Sequence, residues 1–127
     1  MAPGVGWLGA ETICLSEVDS TSDELWRRAA AGAEHGTVLC ARTQSAGRGR
    51  QGRHWASGPG NLLASWLLRF RSAPSDLSAL SIVEGLAITR TVDRYAPGRI
   101  QLKWPNDILL DGRKLGGLLL EARQESG

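Results

Sequence analysis

Residues 100–120 read IQLKWPNDILLDGRKLGGLLL. Ile100, Leu102 and Trp104 alternate with Gln101 and Lys103, which predicts a strand that carries Lys103 opposite an apolar face. Pro105 and Asn106-Asp107 break that strand. Ile108 to Leu110, Asp111-Gly112 and Arg113 to Leu120 predict a hairpin, because Asp-Gly suits a two-residue turn with positive φ at both central positions. Strands joined this tightly run antiparallel, so the chain is not a wound βαβ array.

Working outward from this stretch, Ser75 or Asp76 can cap a helix whose apolar positions Leu77, Leu80, Val83, Leu86 and Ala87 recur at helical spacing. Pro97 and Gly98 end it. Further apolar residues lie off that stripe, which predicts a well-buried helix. Between residues 61 and 71, Leu62, Ala64, Trp66, Leu68 and Phe70 alternate with Leu63, Ser65, Leu67, Arg69 and Arg71, predicting one long strand. Nearer the start, Thr12 to Val18 predicts a short strand. Thr21 and Glu24 then have the spacing of a capping box, so a helix follows, with Leu25, Trp26, Ala29 and Ala30 on its apolar side and a stop near Gly32. Thr37 to Ala41 is a further β-rich run. The predicted order is β, α, β, β, α, β, β, β, an α+β (mixed α/β) fold.

At 127 residues and 13.6 kDa, with 42% hydrophobic and 22% charged residues, the chain suits one compact domain, and neither disorder nor a membrane protein fits. Its apolar runs fall far short of the roughly 20 residues that span a bilayer, so no membrane association is expected. Residues 1–10 lack the basic start and apolar stretch of a secretory leader, which predicts a cytoplasmic location. Cys14 and Cys40 lie in apolar runs without metal-ligand spacing and are expected to be buried free thiols.

The net charge is only +2, but no acidic residue occurs between Glu34 and Asp76, where Arg42, Arg48, Arg50, Arg53, Arg69 and Arg71 all fall. This asymmetry predicts a local anion site, against the alternative of a solvated basic face. Thirteen of the 15 basic residues are arginine, and the two lysines, Lys103 and Lys114, share one late segment. The irregular stretch TQSAGRGRQGRHWASGPGN at 43–61 combines glycines, which let main-chain N–H groups approach a ligand, with guanidinium groups that fork onto carboxylate or phosphate. It is neither a Walker loop nor a dinucleotide-binding fingerprint. An RGG-like nucleic-acid segment is a rival reading, weakened because only Trp55 is nearby to stack on bases. Trp55 covers a flat ligand or anchors the loop. Ser20 and Thr21 sit where a strand meets a helix N-terminus and serve a ligand or cap the helix. Asp107 holds Mg2+ or a ribose, or is a turn aspartate. Gly116 and Gly117 leave room for a ligand or another backbone. His35 and His54 have no evident partner and are expected to be solvated.

Four blocks, DSTS at 19–22, TQSAGRGRQGRHW at 43–55, KWPNDILL at 103–110 and GRKLGGLLLE at 112–121, together resemble the catalytic domain of biotin protein ligases. The resemblance covers roughly residues 12–122 of a single catalytic domain spanning 1–127. It implies a mixed, largely antiparallel sheet with flanking helices, related to class II aminoacyl-tRNA synthetases and lipoate ligases. It also implies an enzyme, a biotin–[acetyl-CoA-carboxylase] ligase, that joins biotin to ATP as biotinyl-AMP. Biotin then passes to a lysine of a carboxylase's biotin carrier domain.

By motif position, the resemblance implies that Ser20, Thr21, Gln44, Gly47, Arg48, Arg50, Lys114, Gly116 and Gly117 bind biotin. Arg50, Arg53, Trp55, Lys103, Asp107 and Lys114 would bind ATP, with Mg2+ at Asp107. Lys114, Arg50, Arg53 and Lys103 would be catalytic, fixed cations that offset the repulsion between two reacting anions. Ser22 stands where asparagine is common in relatives. Relatives usually continue with further strands and a small β-barrel, so a truncated chain, active or inactive, is an expectation here. No helix-turn-helix segment precedes residue 12, and DNA binding is not expected. A lipoate or other acyl ligase of the same fold and a non-catalytic RNA-binding module are the alternatives.

Overall fold

The computed structural model describes residues 11–72 and 74–124. The reading of residues 1–10 as lacking a secretory leader lies outside them. The chain divides into two compact units, Met1–Ala73 and Pro74–Gly127. The element order is the one expected: β1 (Thr12–Val18), α1 (Thr21–Ala30), β2 (Val38–Gln44), β3 (Leu63–Trp66), α2 (Leu77–Asp93), β4 (Ile100–Lys103), β5 (Asp107–Leu110) and β6 (Arg113–Gly117).

In the first unit β1 pairs parallel with β2, and β2 antiparallel with β3. A parallel pair needs a crossover, and α1 supplies it. The expectation of no wound array holds, since this is the one parallel pair among the described residues. The core is Leu25 and Ala29 of α1 against Leu39 and Leu67, with Ile13, Leu15 and Trp26 packed beside it. Ala30, expected on the apolar side, is exposed, because the buried positions of α1 follow Thr21, Leu25 and Ala29 at a spacing of four.

Four expectations for this unit are corrected. The capping residue of α1 is Ser20, whose hydroxyl accepts from Asp23 N at 3.4 Å, one residue ahead of the predicted box. The long strand is only four residues, because the chain after Leu67 is held differently: Arg69 N donates to His35 Nδ1 at 3.0 Å. His35 is therefore half-buried and bonded, not solvated. Arg69 donates to Ala33 O at 3.0 Å and Ala29 O at 2.7 Å, satisfying carbonyls at the end of α1. It belongs to the scaffold, not to an anion site.

The cysteines are free, yet Cys14 is exposed and Cys40 half-buried. Ile13 and Leu15 face the core, so the residue between them points to the opposite face of the sheet.

In the second unit β4, β5 and β6 form an antiparallel sheet. The predicted turn is present, with Asp111 at φ 49° and Gly112 at φ 77°. An ion pair between Arg99 and Asp111 closes it. The helical period predicted for α2 is correct but the buried face is not. Leu77, Val83 and Leu86 are 40%, 60% and 47% exposed, and the one buried residue is Gly85. A Cβ at Gly85 would lie 3.0 Å from Leu102 Cδ1 and 3.2 Å from Cδ2, so the helix meets β4 at its smallest residue. Periodicity locates a stripe, whereas closest approach chooses the face.

Asp76 caps α2, its Oδ1 accepting from Ser78 N at 2.9 Å and Ala79 N at 3.2 Å. Asp76→Ala is expected to cost about 1 kcal/mol and lower the melting temperature by a few degrees. A denaturant titration reads this, and an unchanged midpoint removes the cap from the stability of α2. No helix among the described residues is long and apolar enough to cross a membrane.

Candidate functional site

The first unit gathers eight of the predicted site residues. β1 ends at Val18 and β2 at Gln44, and these two are register partners. The strand ends therefore place Gln44 beside the start of α1, where Thr21 N donates to Gln44 Oε1 at 2.7 Å. Ser20 and Thr21 are buried, 2% and 4% exposed. Thr21 Oγ1 lies 2.8 Å from Ser65 Oγ, and Ser22 Oγ lies 3.3 Å from the same atom. Ser65 was not singled out from the sequence. Its signal was a hydroxyl within an otherwise apolar strand.

Asp19 precedes this cluster. Its Oδ1 accepts from Ser20 N at 2.7 Å, and both its oxygens take the Arg27 guanidinium, at 2.7 and 3.0 Å. The Arg27 hydrogen bonds, with help from the Ser20 N–H, pull the Asp19 carboxyl down to about 2. A lowered carboxylate stabilises the fold in full above its unfolded value near 3.8, and that contribution is lost as pH falls toward 2. Asp19→Asn is therefore expected to flatten the acid limb of the stability curve between those values. Parallel acid titrations of the two proteins test this, and superimposable limbs would assign the acid sensitivity to other groups.

The glycine-arginine stretch is more ordered than an irregular loop. Trp55 N donates to Gly47 O at 2.8 Å and Gly49 N to Arg53 O at 2.7 Å, with a bridge between Arg48 and His54. Together they make a small hairpin whose tip is a 3-10 turn, Arg50–Gly52. The tip requires left-handed backbone at Gln51 (φ 59°) and Gly52 (φ 70°). Its base is crowded: Gly47 is buried, and a Cβ there would lie 2.7 Å from Gln44 Nε2 and 3.0 Å from Trp55 O.

Arg48 is half-buried, its guanidinium 2.5 Å from Asp23 Oδ2 on α1. Asp23 was not anticipated; the sequence gives no cue that an acid on α1 meets the loop. Arg50 and Arg53 are exposed and make no ion pair among the described residues. Two guanidinium groups at a turn, without local counter-charge, are equipped to take an anion. Trp55 is half-buried at the hairpin's base.

The second unit gathers the other five residues. Lys103 is opposite Asp107, and Asp107 is opposite Gly117. Between Ile108 and Leu109 the register shifts, so that Ile108 faces Gly116, not Leu115. This bulge was not foreseen, though glycines within a strand, here Gly116-Gly117, are the usual signal for one. The two-residue turn sets Leu109 opposite Lys114 and so puts Lys114 on the Asp107 side of the sheet, where Nζ lies 3.1 Å from Asp107 Oδ1. Lys103, Asp107 and Lys114 thus share one face. A Cβ at Gly116 would meet no atom within 4 Å, so the glycine leaves open space there. Asp107 begins β5 and is not a turn residue.

For Mg2+, no group of three or more His, Cys, Asp or Glu side chains suited to a metal occurs among the described residues. A lone carboxylate such as Asp107 fits Mg2+ only when substrate phosphates supply further oxygens.

A biotin protein ligase from Aquifex aeolicus in complex with biotin and ATP matches with a TM-score of 0.77 at 36% identity, over 89% of this chain and 47% of that one. The Leishmania major biotin protein ligase in complex with biotinyl-5-AMP matches with a TM-score of 0.77 at 32% identity, over 90% of this chain and 53% of that one. The fold is that of the class II synthetase-like catalytic domain, as the motifs implied. Residues 15–127 match the Biotin/lipoate A/B protein ligase family, and the chain belongs to that family.

Among curated relatives, a biotin–[acetyl-CoA-carboxylase] ligase from Mycobacterium tuberculosis is 39% identical over 127 residues, covering 95% of this chain and 47% of the relative. The bifunctional ligase/repressor BirA of Escherichia coli is 35% identical over 120 residues, covering 94% of this chain and 37% of the relative. The chain spans less than half the length of these two relatives.

Proposed function

We propose that this chain carries the biotin- and adenylate-forming site of a biotin protein ligase. The observation that carries the reading is the ordered glycine-arginine hairpin, tied by its base to Gln44 and Thr21, with Arg50 and Arg53 at its exposed end. In this reading the biotin carboxylate attacks the α-phosphorus of ATP and pyrophosphate leaves. A lysine amine of a carboxylase's carrier domain then attacks the acyl carbon of biotinyl-AMP, and AMP leaves.

Both reactants of the first step are anions, and fixed cations offset their repulsion while charge develops at phosphorus. Arg50 and Arg53 take the carboxylate and α-phosphate, Lys103 the remaining phosphates, and Lys114 bridges carboxylate and phosphate. Ser20, Thr21, Gln44, Gly47 and Arg48 hold the biotin head group, Gly116 and Gly117 line its pocket, and Trp55 closes over the adenylate. Asp107 would contribute one oxygen to Mg2+, which when bound neutralises phosphate charge. Two curated relatives are named biotin–[acetyl-CoA-carboxylase] ligase, and the M. tuberculosis one shares 39% identity with this chain. These names support ligation of biotin to a carboxylase; a cytoplasmic location and a single catalytic domain belong to the same proposal.

Thermal unfolding with and without biotin plus MgATP tests the reading, with lipoate as the control, because the family name spans both acids. Ligand at about 100 times its Kd should add about 2.7 kcal/mol, a rise of several degrees. A rise with biotin but not lipoate supports the assignment. A rise with lipoate alone moves it to a lipoate ligase, and a cooperative melt that neither acid shifts overturns it.

A further inference from the structure

Cys14 and Cys40 take no part in the proposed chemistry, yet they are direct register partners on the parallel strands β1 and β2. Their Sγ atoms lie 3.8 Å apart. Adjacent strands run about 4.8 Å apart, within the Cα separation of roughly 4.4–6.8 Å that a disulfide accepts. Residues paired in register project to the same side, so both thiols stand on the sheet face away from α1. Cys14 is exposed there, and Cys40 is half-buried beside it.

We propose that Cys14 and Cys40 form a reversible cross-strand dithiol/disulfide pair that responds to peroxide. Cys14, the more exposed, attacks one peroxide oxygen as its thiolate; the O–O bond breaks, leaving a sulfenic acid and hydroxide. Cys40 sulfur then attacks Cys14 sulfur, the S–S bond forms and the S–O bond breaks. The oxygen leaves as water, taking the Cys40 proton. Two electrons pass from the two sulfurs to the peroxide, and a small-molecule dithiol returns them. Burial foremost, and then the adjoining Cys14 thiol, push the Cys40 thiol up, which suits it to second place in the sequence. β1 runs directly into Ser20 and Thr21, and β2 into Gln44, so the bond would join the two strands that carry the head of the candidate site.

Intact-mass measurement after brief hydrogen peroxide treatment of the full chain tests this, followed by peptide mapping. The expected product is a monomer lighter by about 2 Da, restored by dithiothreitol and linking the Cys14 and Cys40 peptides. It should form at least about tenfold faster in the native chain than in the urea-unfolded chain, because the strands hold the thiols together. Cys40→Ser should instead stop at an oxygen adduct of about 16 Da on Cys14, and Cys14→Ser should react more slowly. Oxygen adducts or disulfide-linked dimers from the unsubstituted native chain, without the lighter monomer, overturn the proposal. So does equal closure in urea. If either serine variant fails to melt cooperatively, the native-versus-urea comparison on the unsubstituted chain still decides.

Discussion

Replacing Lys114 by alanine is expected to slow adenylate formation by about 10²-fold or more, the usual consequence of removing a cation aimed at charge that develops in the transition state. The ammonium is half-exposed and lies 3.1 Å from Asp107 Oδ1. A pair this open contributes about 0–1 kcal/mol to stability, so the variant should melt almost normally. The kinetic loss has two parts. In the proposed mechanism the bridging cation is gone, and Asp107 keeps its negative charge without the Lys114 ammonium beside it. Lys114→Arg should not rescue fully, because a planar fork does not replace a compact point charge. Biotin-dependent exchange of pyrophosphate into ATP measures the step. A rate unchanged by Lys114→Ala would take Lys114 out of the chemistry, whatever the binding data show.

The second large effect is expected at Gly47. A single methyl there would sit 2.7 Å from Gln44 Nε2 and 3.0 Å from the Trp55 carbonyl, which belongs to the backbone and cannot swing away. Gln44 has to move, and its 2.7 Å bond to Thr21 N is lost with it. That N–H belongs to the buried Thr21 that opens α1, and leaving it unsatisfied costs about 1–3 kcal/mol, with overpacking adding a similar amount. Gly47→Ala should therefore lower the melting temperature by several degrees and weaken biotin binding by at least about tenfold. Gly49→Ala is the matched control: the nearest atom to its added Cβ is Arg53 O at 3.8 Å, ordinary contact. Calorimetric titration of both variants checks the contrast. If the two bind biotin alike, crowding at the base of the hairpin is not what shapes the site.

Much of this was readable from residue order, for identifiable reasons. Helix periods, the Asp-Gly turn and the cap at Asp76 are local, so the element order followed from neighbours along the chain. What escaped depends on partners distant in sequence. The side of α2 that packs was decided by Gly85 against Leu102. The fate of Arg69 was decided by carbonyls 36 and 40 residues earlier, so one of six arginines in the acid-free stretch is structural. The candidate site divides the same way. Its arginines, lysines and glycines announced themselves by type and motif, whereas Asp23 and Ser65 matter through what folds onto them.

The extra residue in β6 makes strand length a chemical variable for the glycines and not for the lysine. Deleting Leu115 would regularise the ladder and leave Lys114 opposite Leu109, on the Asp107 side, because the tight turn alone fixes that pairing. Keeping Leu115 in a regular ladder would instead set it opposite Ile108 and move Gly116 opposite Asp107, turning each glycine to the other side of the sheet. For this hairpin, counting residues between Lys114 and Gly116 says as much about the space beside Asp107 as naming them.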